Sequence, residues 1–318
     1  MMKKLAMGID IGGTNTAFGL VDEDGNVVAE GKISTEQFKY YDDYKPYIET
    51  LATAMKELIA SQPECDLIGI GVGAPNANIH TGRIETPATL WKVEDAADPR
   101  PNSVRIFNFV EDLGKHFGGT KVMITNDANA AAIGEMVFGN ARGMKDFAMI
   151  TLGTGLGSGI VCNGEMVYGN DGFAGEYGHI AVASRETGRQ CGCGRKGCLE
   201  AYVSATGIKR TAFELMATMT CDSELRSVPY DKFEAKMLSD AAAKNDPIAL
   251  EAFERTGKVL GLALADLTAI TSPEAIILFG GLANAGEYIM RPTHKYMEEN
   301  QLMVFKGKVK LLMSGIQD

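Results

Sequence analysis

Short apolar runs alternate along this chain with longer segments in which apolar residues recur at helical spacing. Strands buried on both faces are typically almost wholly apolar, and the chain has such runs at 67–73, 121–125 and 275–279. The longer segments predict helices at 44–60, 107–117, 200–219, 235–244, 246–271 and 286–299, and a last strand is predicted at 308–313. Strands that alternate with helices indicate the α/β class.

One arrangement of strands and turns occurs twice. Residues 5–28 predict a strand, a glycine turn, a second strand, another turn and a third strand, and residues 147–167 repeat that order. An internal duplication of this kind predicts two similar lobes whose β-hairpin glycine turns face one cleft, where a nucleotide would bind. The predicted small lobe covers residues 1–125, and the larger lobe, with the extra helices, covers residues 126–318.

The two glycine turns are candidate phosphate sites. Adjacent glycines let a turn point its backbone amides outward, which forms a nest for phosphate oxygens. The first turn alone is equally compatible with an ordinary turn, but its second copy favours phosphate binding. Asp10, at a strand end, can hold a magnesium ion through water. The candidate nucleotide-binding residues are Asp10, Gly12, Gly13, Thr14, Asn15, Gly153, Thr154 and Gly155.

A third glycine turn, Gly280 and Gly281, lies between the predicted strand 275–279 and the helix that follows it. A strand-to-helix glycine turn can bring backbone close to a base or ribose, so both glycines are further candidate nucleotide contacts. Gly257 and Gly261 lie in the long helix 246–271 at a spacing that permits close helix packing, although a helix can also simply tolerate glycine.

One histidine and three cysteines fall within a short stretch of the chain: His179, Cys191, Cys193 and Cys198. Three thiolates and one imidazole complete a tetrahedral structural zinc site. Disulfides and unligated buried thiols are the alternatives, but Cys-x-Cys leaves too little chain for its members to pair without strain. The spacing therefore favours zinc. Glu176 and Glu200 flank this stretch and, because the metal does not need them, are candidate acceptors for a polar ligand.

Asp127 lies where chemistry is expected in an α/β sheet. It follows Asn126 at the end of the strand 121–125 and precedes an alanine-rich helix. Ligands in open α/β sheets bind beyond the carboxyl ends of strands. Asp is also a good helix N-cap, but with Asn126 adjacent either residue can cap the helix and leave the other free. We therefore predict that Asp127 is catalytic.

Composition narrows the classes of partner and compartment. The chain has 318 residues and a net charge of −10. An acidic balance without a basic run argues against nucleic acid or an anionic membrane surface as the main partner. No segment predicts a signal peptide or a membrane span. Six cysteines in so long a chain fit a reducing compartment, so we expect a cytoplasmic enzyme.

These motifs together resemble the ROK family of sugar kinases and repressors, within the actin-like ATPase superfamily. The likeness extends over nearly the whole chain, and the cysteine signature with its upstream Glu-x-Gly-His is its most specific part. The motifs that carry it are Asp10-Ile-Gly-Gly-Thr14, Asn126-Asp127, Leu152-Gly-Thr-Gly155, Glu176-Tyr-Gly-His179, the stretch from Cys191 to Glu200, and Phe279-Gly-Gly281.

The resemblance implies a two-lobed actin-like ATPase (ribonuclease H-like) fold and ATP-dependent phosphorylation of a hexose, with glucose to glucose 6-phosphate as the expected reaction. The alternatives are another hexose or amino sugar (N-acetylmannosamine, N-acetylglucosamine, fructose or allose), or a sugar-sensing protein without catalysis. Asp127 is the implied base, and ATP and Mg²⁺ are the implied cofactors. The implied sugar contacts are Asn126, Asp127, Glu176, His179 and Glu200. A homodimer or homotetramer is expected.

Three features depart from the family pattern. Asn76 follows Pro75 where the family usually has glycine, and Thr89 stands where many glucokinases of the family have asparagine. Family mannosamine-type kinases can carry threonine there, so Thr89 is a further candidate sugar contact. The chain stops at Asp318, where such proteins usually continue into a helix that packs on the first lobe. With the first glycine turn at residue 12, we expect no DNA-binding module of the kind that family repressors carry.

Two rival functions are weaker. A sensor that binds hexose without phosphorylating it would not need Asp127 and both glycine turns. A hydrolytic zinc enzyme needs an open coordination position, which three cysteines and His179 would leave closed.

Overall fold

The computed structural model describes residues 2–38, 44–85 and 106–316. The chain forms two compact units, Met1–Ala130 with Tyr168–Ala174, and Ala131–Val167 with Gly175–Asp318. The division into lobes at residues 125 and 126 remains a prediction. The predicted sugar contact Thr89 lies outside the described residues.

The first unit contains a five-stranded sheet of order β3-β2-β1-β4-β8 and a small three-stranded sheet of order β5-β6-β7. Its elements are β1 (Lys3–Ile11), β2 (Asn15–Val21), β3 (Val27–Ser34), α1 (Lys45–Ala60), β4 (Cys65–Gly73), β5 (Ala77–Asn78), β6 (Arg83–Glu85), β7 (Ile106–Phe107), α2 (Phe109–Gly114), β8 (Val122–Thr125) and the start of α3 (Asp127–Phe138). Apolar residues at every second position of β1 are buried and pack with α1 in one core, which includes Leu5, Met7, Ile9, Tyr47, Leu51 and Met55.

The second unit contains a five-stranded sheet of order β11-β10-β9-β12-β13. Besides the rest of α3, its elements are β9 (Phe147–Leu152), β10 (Leu156–Cys162), β11 (Glu165–Met166), α4 (Ala205–Thr218), α5 (Ala235–Ala242), α6 (Pro247–Thr271), β12 (Ala275–Phe279), α7 (Glu287–Asn300) and β13 (Lys310–Met313). Its largest core lies between the sheet and the helices α4 to α7, and includes Ile150, Leu215, Phe253, Leu264 and Leu278.

The two five-stranded sheets share one topology. In the first, β1, β2 and β3 pair antiparallel, and β4 pairs parallel with both β1 and β8. In the second, β9, β10 and β11 pair antiparallel, and β12 pairs parallel with both β9 and β13. The duplication and the α/β class predicted from the sequence are therefore confirmed.

Two helices have a boundary that differs from its predicted position by three residues or more. The helix predicted over 200–219 begins at Ala205, because the Ser204 hydroxyl caps it by accepting a hydrogen bond from the Gly207 backbone N–H at 2.9 Å. Before it, Leu199–Ala201 forms a separate 3-10 helix. The helix predicted over 107–117 is the shorter α2, which ends at Gly114.

Close packing of α6 against α7 depends on the two helical glycines. A Cβ atom on Gly257 would lie 2.6 Å from Cγ of Pro292, and a Cβ on Gly261 would lie 2.5 Å from the carbonyl oxygen of Thr293. Both distances are shorter than any ordinary contact, so the prediction that these glycines permit close helix packing is confirmed.

Candidate active site

The first glycine turn joins β1 to β2. The Gly12 N–H donates to the Asn15 carbonyl at 3.0 Å, and the Thr14 carbonyl accepts from the N–H groups of Thr35 and Glu36 at 2.9 and 3.1 Å. A Cβ on Gly12 would lie 2.9 Å from the Asn15 carbonyl oxygen. The turn is therefore held by backbone hydrogen bonds on both sides and has no room for a side chain at Gly12.

Hydrogen bonds among buried hydroxyl groups stabilise the start of β2, next to this turn. The Thr16 hydroxyl lies 2.8 Å from the Thr35 hydroxyl and 2.7 Å from the Tyr47 hydroxyl. Hydrogen bonds between buried polar groups are costly to break, so this chain of hydroxyls fixes the start of β2 against α1.

Asp10 and Asp127 belong to the same edge of the first sheet. Asp10 on β1 pairs in register with Gly73 on β4, and a Cβ on Gly73 would lie 3.5 Å from Cα of Asp127. Both carboxylates have solvent-exposed surface. Desolvation by the surrounding protein raises the pKa of both, and the negative charge of Asp127 raises the pKa of Asp10 further. Two acids at the carboxyl ends of β1 and β8, the strands on either side of β4, suit a proton acceptor and a cation site.

Asn126 caps α3. The Ala128 N–H donates to Oδ1 of Asn126 at 2.9 Å and to Oδ1 of Asp127 at 2.8 Å. The structure thus has the arrangement in which Asn126 fills the N-cap position. Asp127 begins the helix itself, and one of its carboxylate oxygens takes no part in that hydrogen bond.

The four sulfur and nitrogen ligands predicted for zinc come together in the second unit. Their ligand atoms all lie within 4.8 Å of one another. Sγ of Cys193 is 3.7 Å from Sγ of Cys198, and Sγ of Cys191 is 3.8 Å from Nδ1 of His179. A tetrahedral zinc ion with Zn–S bonds of about 2.3 Å separates two sulfurs by about 3.8 Å, so the donor set and its spacing fit zinc.

The alternatives to a metal site fit less well. All six cysteines lie in the described part of the chain and each is free. Burial acts to raise the pKa of Cys193, but hydrogen bonds from Arg195, Cys191 and Cys198 outweigh it and lower the pKa to about 6. Thiolates are the metal-binding form of cysteine, so the environment of Cys193 favours a ligand, whereas burial raises the pKa of Cys191 to about 12.

His179 presents its two ring nitrogens to different partners. Nδ1 faces Cys191, whereas Nε2 lies 3.9 Å from Oε2 of Glu176. The imidazole lies at the end of the 3-10 helix Tyr177–His179. If Nδ1 binds a metal, Nε2 carries the proton and is a hydrogen-bond donor on the Glu176 side.

Glu200 links the segment that carries the predicted zinc ligands to the second glycine turn. The Leu156 N–H donates to Oε2 of Glu200 at 3.0 Å, and the Cys191 thiol lies 3.4 Å from Oε1. Within the turn, the Gly153 N–H donates to the Gly155 carbonyl at 3.0 Å. The second predicted phosphate turn and a predicted sugar contact therefore touch each other.

The third glycine turn borders a cavity of about 270 Å³ in the second unit. Gly280 has a φ of 96°, and a Cβ there would lie 2.9 Å from the Leu152 carbonyl oxygen, so only glycine fits. The lining residues come from β12, the turn and the end of the chain: Leu278, Phe279, Gly280, Asn284, Met313, Ser314 and Ile316.

Sequence patterns missed several residues around these sites. Glu135 is fully buried on α3 and accepts hydrogen bonds from the N–H groups of Asn140 and Gly315 and from the Ser314 hydroxyl, at 2.6, 2.8 and 2.6 Å. It thereby fixes one wall of the cavity beside Gly280. The acidic residue inside an alanine-rich helix is a sequence signal that could have drawn attention to Glu135. Nothing in the sequence indicates which residues donate hydrogen bonds to it.

The chain resembles known proteins over almost its whole length. Residues 6–314 match the model of the ROK family. The chain belongs to the ROK family. It is 35% identical to a glucokinase of Halalkalibacterium halodurans over 306 residues, which cover 94% of this chain and 86% of that one. It is 32% identical to a glucokinase of Thermotoga maritima over 320 residues, covering 99% and 94%.

A solved ROK family glucokinase from Streptomyces griseus, in complex with glucose and AMPPNP, superposes with a TM-score of 0.76 at 30% identity and covers 98% of this chain and 94% of its own. The ROK family and the actin-like ATPase fold predicted from the sequence are confirmed. Within the described ranges of this ROK protein, no helix combines the length and apolar character needed to cross a bilayer. The cytoplasmic location and the oligomeric state remain predictions.

Proposed function

We propose that this ROK protein is an ATP-dependent hexokinase whose main substrate is glucose. The observation that carries the proposal is its similarity to glucokinases along nearly the whole chain, including one with glucose and AMPPNP bound. The two glycine turns, the exposed Asp127 and the polar residues beside the cysteine cluster supply the groups that phosphoryl transfer to a sugar requires.

Asp127 is the proposed general base. A carboxylate at the carboxyl end of β8, with a pKa raised by desolvation, accepts a proton better than an ordinary surface aspartate. It accepts the proton of the sugar O6 hydroxyl as that oxygen attacks the γ-phosphorus of ATP. The bond from the γ-phosphorus to the bridging oxygen breaks, and ADP leaves with the electron pair.

Asn126, Glu176, His179 and Glu200 are the proposed sugar contacts, with Thr89 as a further candidate. Carboxylates suit a polyol because each accepts more than one hydroxyl hydrogen bond. With zinc bound at Nδ1, the Nε2–H of His179, which lies beside Glu176, would add a donor of fixed direction. A donor flanked by acceptors matches the hydroxyl groups of a hexose, each of which both donates and accepts.

The glycine turns are the proposed nucleotide contacts. The N–H groups of Gly12 and Gly153 donate within their own turns, so the N–H groups of the turn residues that follow them, Gly13 and Thr14 in the first turn and Thr154 and Gly155 in the second, would donate to phosphate oxygens. Gly280 and Gly281 would approach the base or ribose. Asp10 would hold Mg²⁺ through water, and when bound this ion neutralises charge that develops on the phosphates. Since the chain is acidic overall, these local groups would provide the attraction for ATP.

Zinc is the proposed structural metal, held by His179, Cys191, Cys193 and Cys198. A closed site with four protein ligands stabilises the surrounding fold and leaves no position for substrate. Its proposed effect on the reaction is indirect, because it would orient the His179 ring and hold the loop that carries Glu200.

A coupled assay of ADP release with a panel of hexoses tests the proposal. We expect the highest kcat/KM with glucose among glucose, mannose, fructose, allose, N-acetylglucosamine and N-acetylmannosamine. A higher kcat/KM with an amino sugar would support kinase activity but would show that the main substrate is that amino sugar rather than glucose. No ADP release with any sugar, by protein that still binds glucose, would instead support a sensor.

A further inference from the structure

We propose that Arg185 is a positioning residue of the zinc centre. Arg185 joins the two chain segments that supply the zinc ligands and balances the negative charge of the thiolates. This inference rests on the proposed zinc site. It concerns a residue outside the ligand pattern, since Arg185 lies between His179 and the cysteines without belonging to either motif.

Arg185 contacts both ligand segments with one guanidinium group. Its Nη2 donates to the carbonyl of His179 at 3.2 Å. Its Nη1 donates to the carbonyl of Lys196 at 2.9 Å and to Sγ of Cys198 at 3.2 Å. A planar guanidinium can hold several acceptors in fixed directions at once, which a lysine ammonium does less well. Arg185 therefore sets the position of the histidine segment relative to the cysteine loop.

The charge of the centre gives Arg185 a second role. A zinc ion with three thiolates and one neutral imidazole carries a net charge of −1. A guanidinium that donates to Cys198 Sγ offsets that charge, and hydrogen bonds from charged donors are the stronger ones. Arg195 places a second positive charge near Cys193. Partners of this kind around a metal typically change its affinity by about 10–100-fold when they are removed.

Lys196 provides a matched control in the same loop. Its Nζ donates to the carbonyl of Glu186 at 3.2 Å rather than to a ligand sulfur, and like Arg185 it is exposed. A Lys196→Gln variant removes the same unit of charge from the same loop but leaves every contact of Arg185 in place. Arg185→Lys keeps the charge and removes the planar fork.

Zinc release from purified protein into an excess of a chromophoric chelator measures the effect. We expect Arg185→Met to release zinc at least about 10-fold faster than wild type, Arg185→Lys to be intermediate, and Lys196→Gln to match wild type. Wild-type release rates in Arg185→Met would overturn the proposal. Wild-type protein that contains no zinc would overturn the zinc site itself, and zinc content by elemental analysis distinguishes the two failures.

Replacing zinc with cobalt allows an absorption measurement that a change in loop stability alone would not affect. Loss of the N–H···S bond to Cys198 makes that thiolate a better electron donor, so the thiolate-to-cobalt charge-transfer band of Arg185→Met should shift to lower energy. The band of Lys196→Gln should stay in place. An unshifted band in Arg185→Met would contradict a direct contact between the arginine and the metal-bound sulfur.

Discussion

The carboxylate of Glu200 accepts a hydrogen bond from the backbone N–H of Leu156 at 3.0 Å. This bond joins the segment that carries the predicted zinc ligands to the glycine turn at residues 153–155. The same carboxylate oxygen would lie 2.4 Å from a Cβ atom placed on Gly155. A residue proposed to bind sugar thus contacts a turn proposed to bind phosphate. If both proposals hold, sugar binding and nucleotide binding would depend on one contact.

Gly155→Ala should disturb both substrates together. The added methyl group forces Glu200 away and breaks its bond to Leu156, so we expect the KM values for glucose and ATP to rise together. Steady-state kinetics measures this effect. In a Glu200→Ala background the same substitution should lower the melting temperature less than it does in wild type, because nothing remains to be displaced. Equal losses in both backgrounds would contradict the contact.

Asp10→Asn should stabilise the protein at neutral pH. Desolvation and the Asp127 charge raise the pKa of Asp10 in the folded state. A raised carboxyl pKa contributes stability that is present below the ordinary aspartate value and is lost as the pH rises through the raised value. Melting curves from pH 4 to pH 8 should therefore show a gain for Asp10→Asn that grows as the pH rises towards the raised pKa and is constant above it.

The repulsion between the two aspartates gives this prediction a control. In an Asp127→Asn background, Asp10 no longer faces that charge, and the gain from Asp10→Asn should be smaller. Gains of the same size in both backgrounds would mean that the two carboxylates do not influence each other.

Asn76 occupies a position that glycine usually fills in the family, and its backbone shows why asparagine is accepted. Its φ is 57°, in the left-handed region that asparagine adopts more readily than most residues other than glycine. We expect Asn76→Val to cost about 1–2 kcal/mol more than Asn76→Gly, measured as the difference in unfolding free energy. Similar stability of the two variants would show that the turn relaxes without strain.

Gly261→Ala should destabilise the second unit. Its Cβ would meet backbone atoms of α7, the Thr293 carbonyl oxygen at 2.5 Å and the Met297 nitrogen at 2.8 Å. Overpacking of this kind costs roughly 1–3 kcal/mol. Gly114→Ala is a control, since its Cβ would be 4.0 Å from Val122 Cγ2. A melting temperature unchanged by Gly261→Ala would mean that α6 and α7 separate easily.

Features set by local chain chemistry were predictable from the sequence. The predicted zinc ligands span only residues 179–198, so short loops bring them together, and the glycine turns follow from strands that occur twice. Asn126 was one of two predicted caps for α3, and it takes that position because the helix itself begins at Asp127.

Features set by distant side chains were not predictable. The segment Tyr168–Ala174 belongs to the first unit, where the Asn78 side chain donates to the Asp171 carbonyl at 2.7 Å from far away in sequence. The helix predicted from residue 200 begins later, because Glu200 bonds Leu156 and Ser204 takes the cap. No periodicity in a single sequence encodes such pairs.

The kinetics of Asp127→Asn test the central claim most directly. Asparagine cannot accept the O6 proton as a carboxylate does, so ADP release with saturating glucose and ATP should fall at least ~10²-fold. Glucose binding, followed by calorimetry on the same variant, should stay within a few-fold of wild type. Near-normal turnover by Asp127→Asn would contradict the account, because the hydroxyl would then lose its proton without this carboxylate.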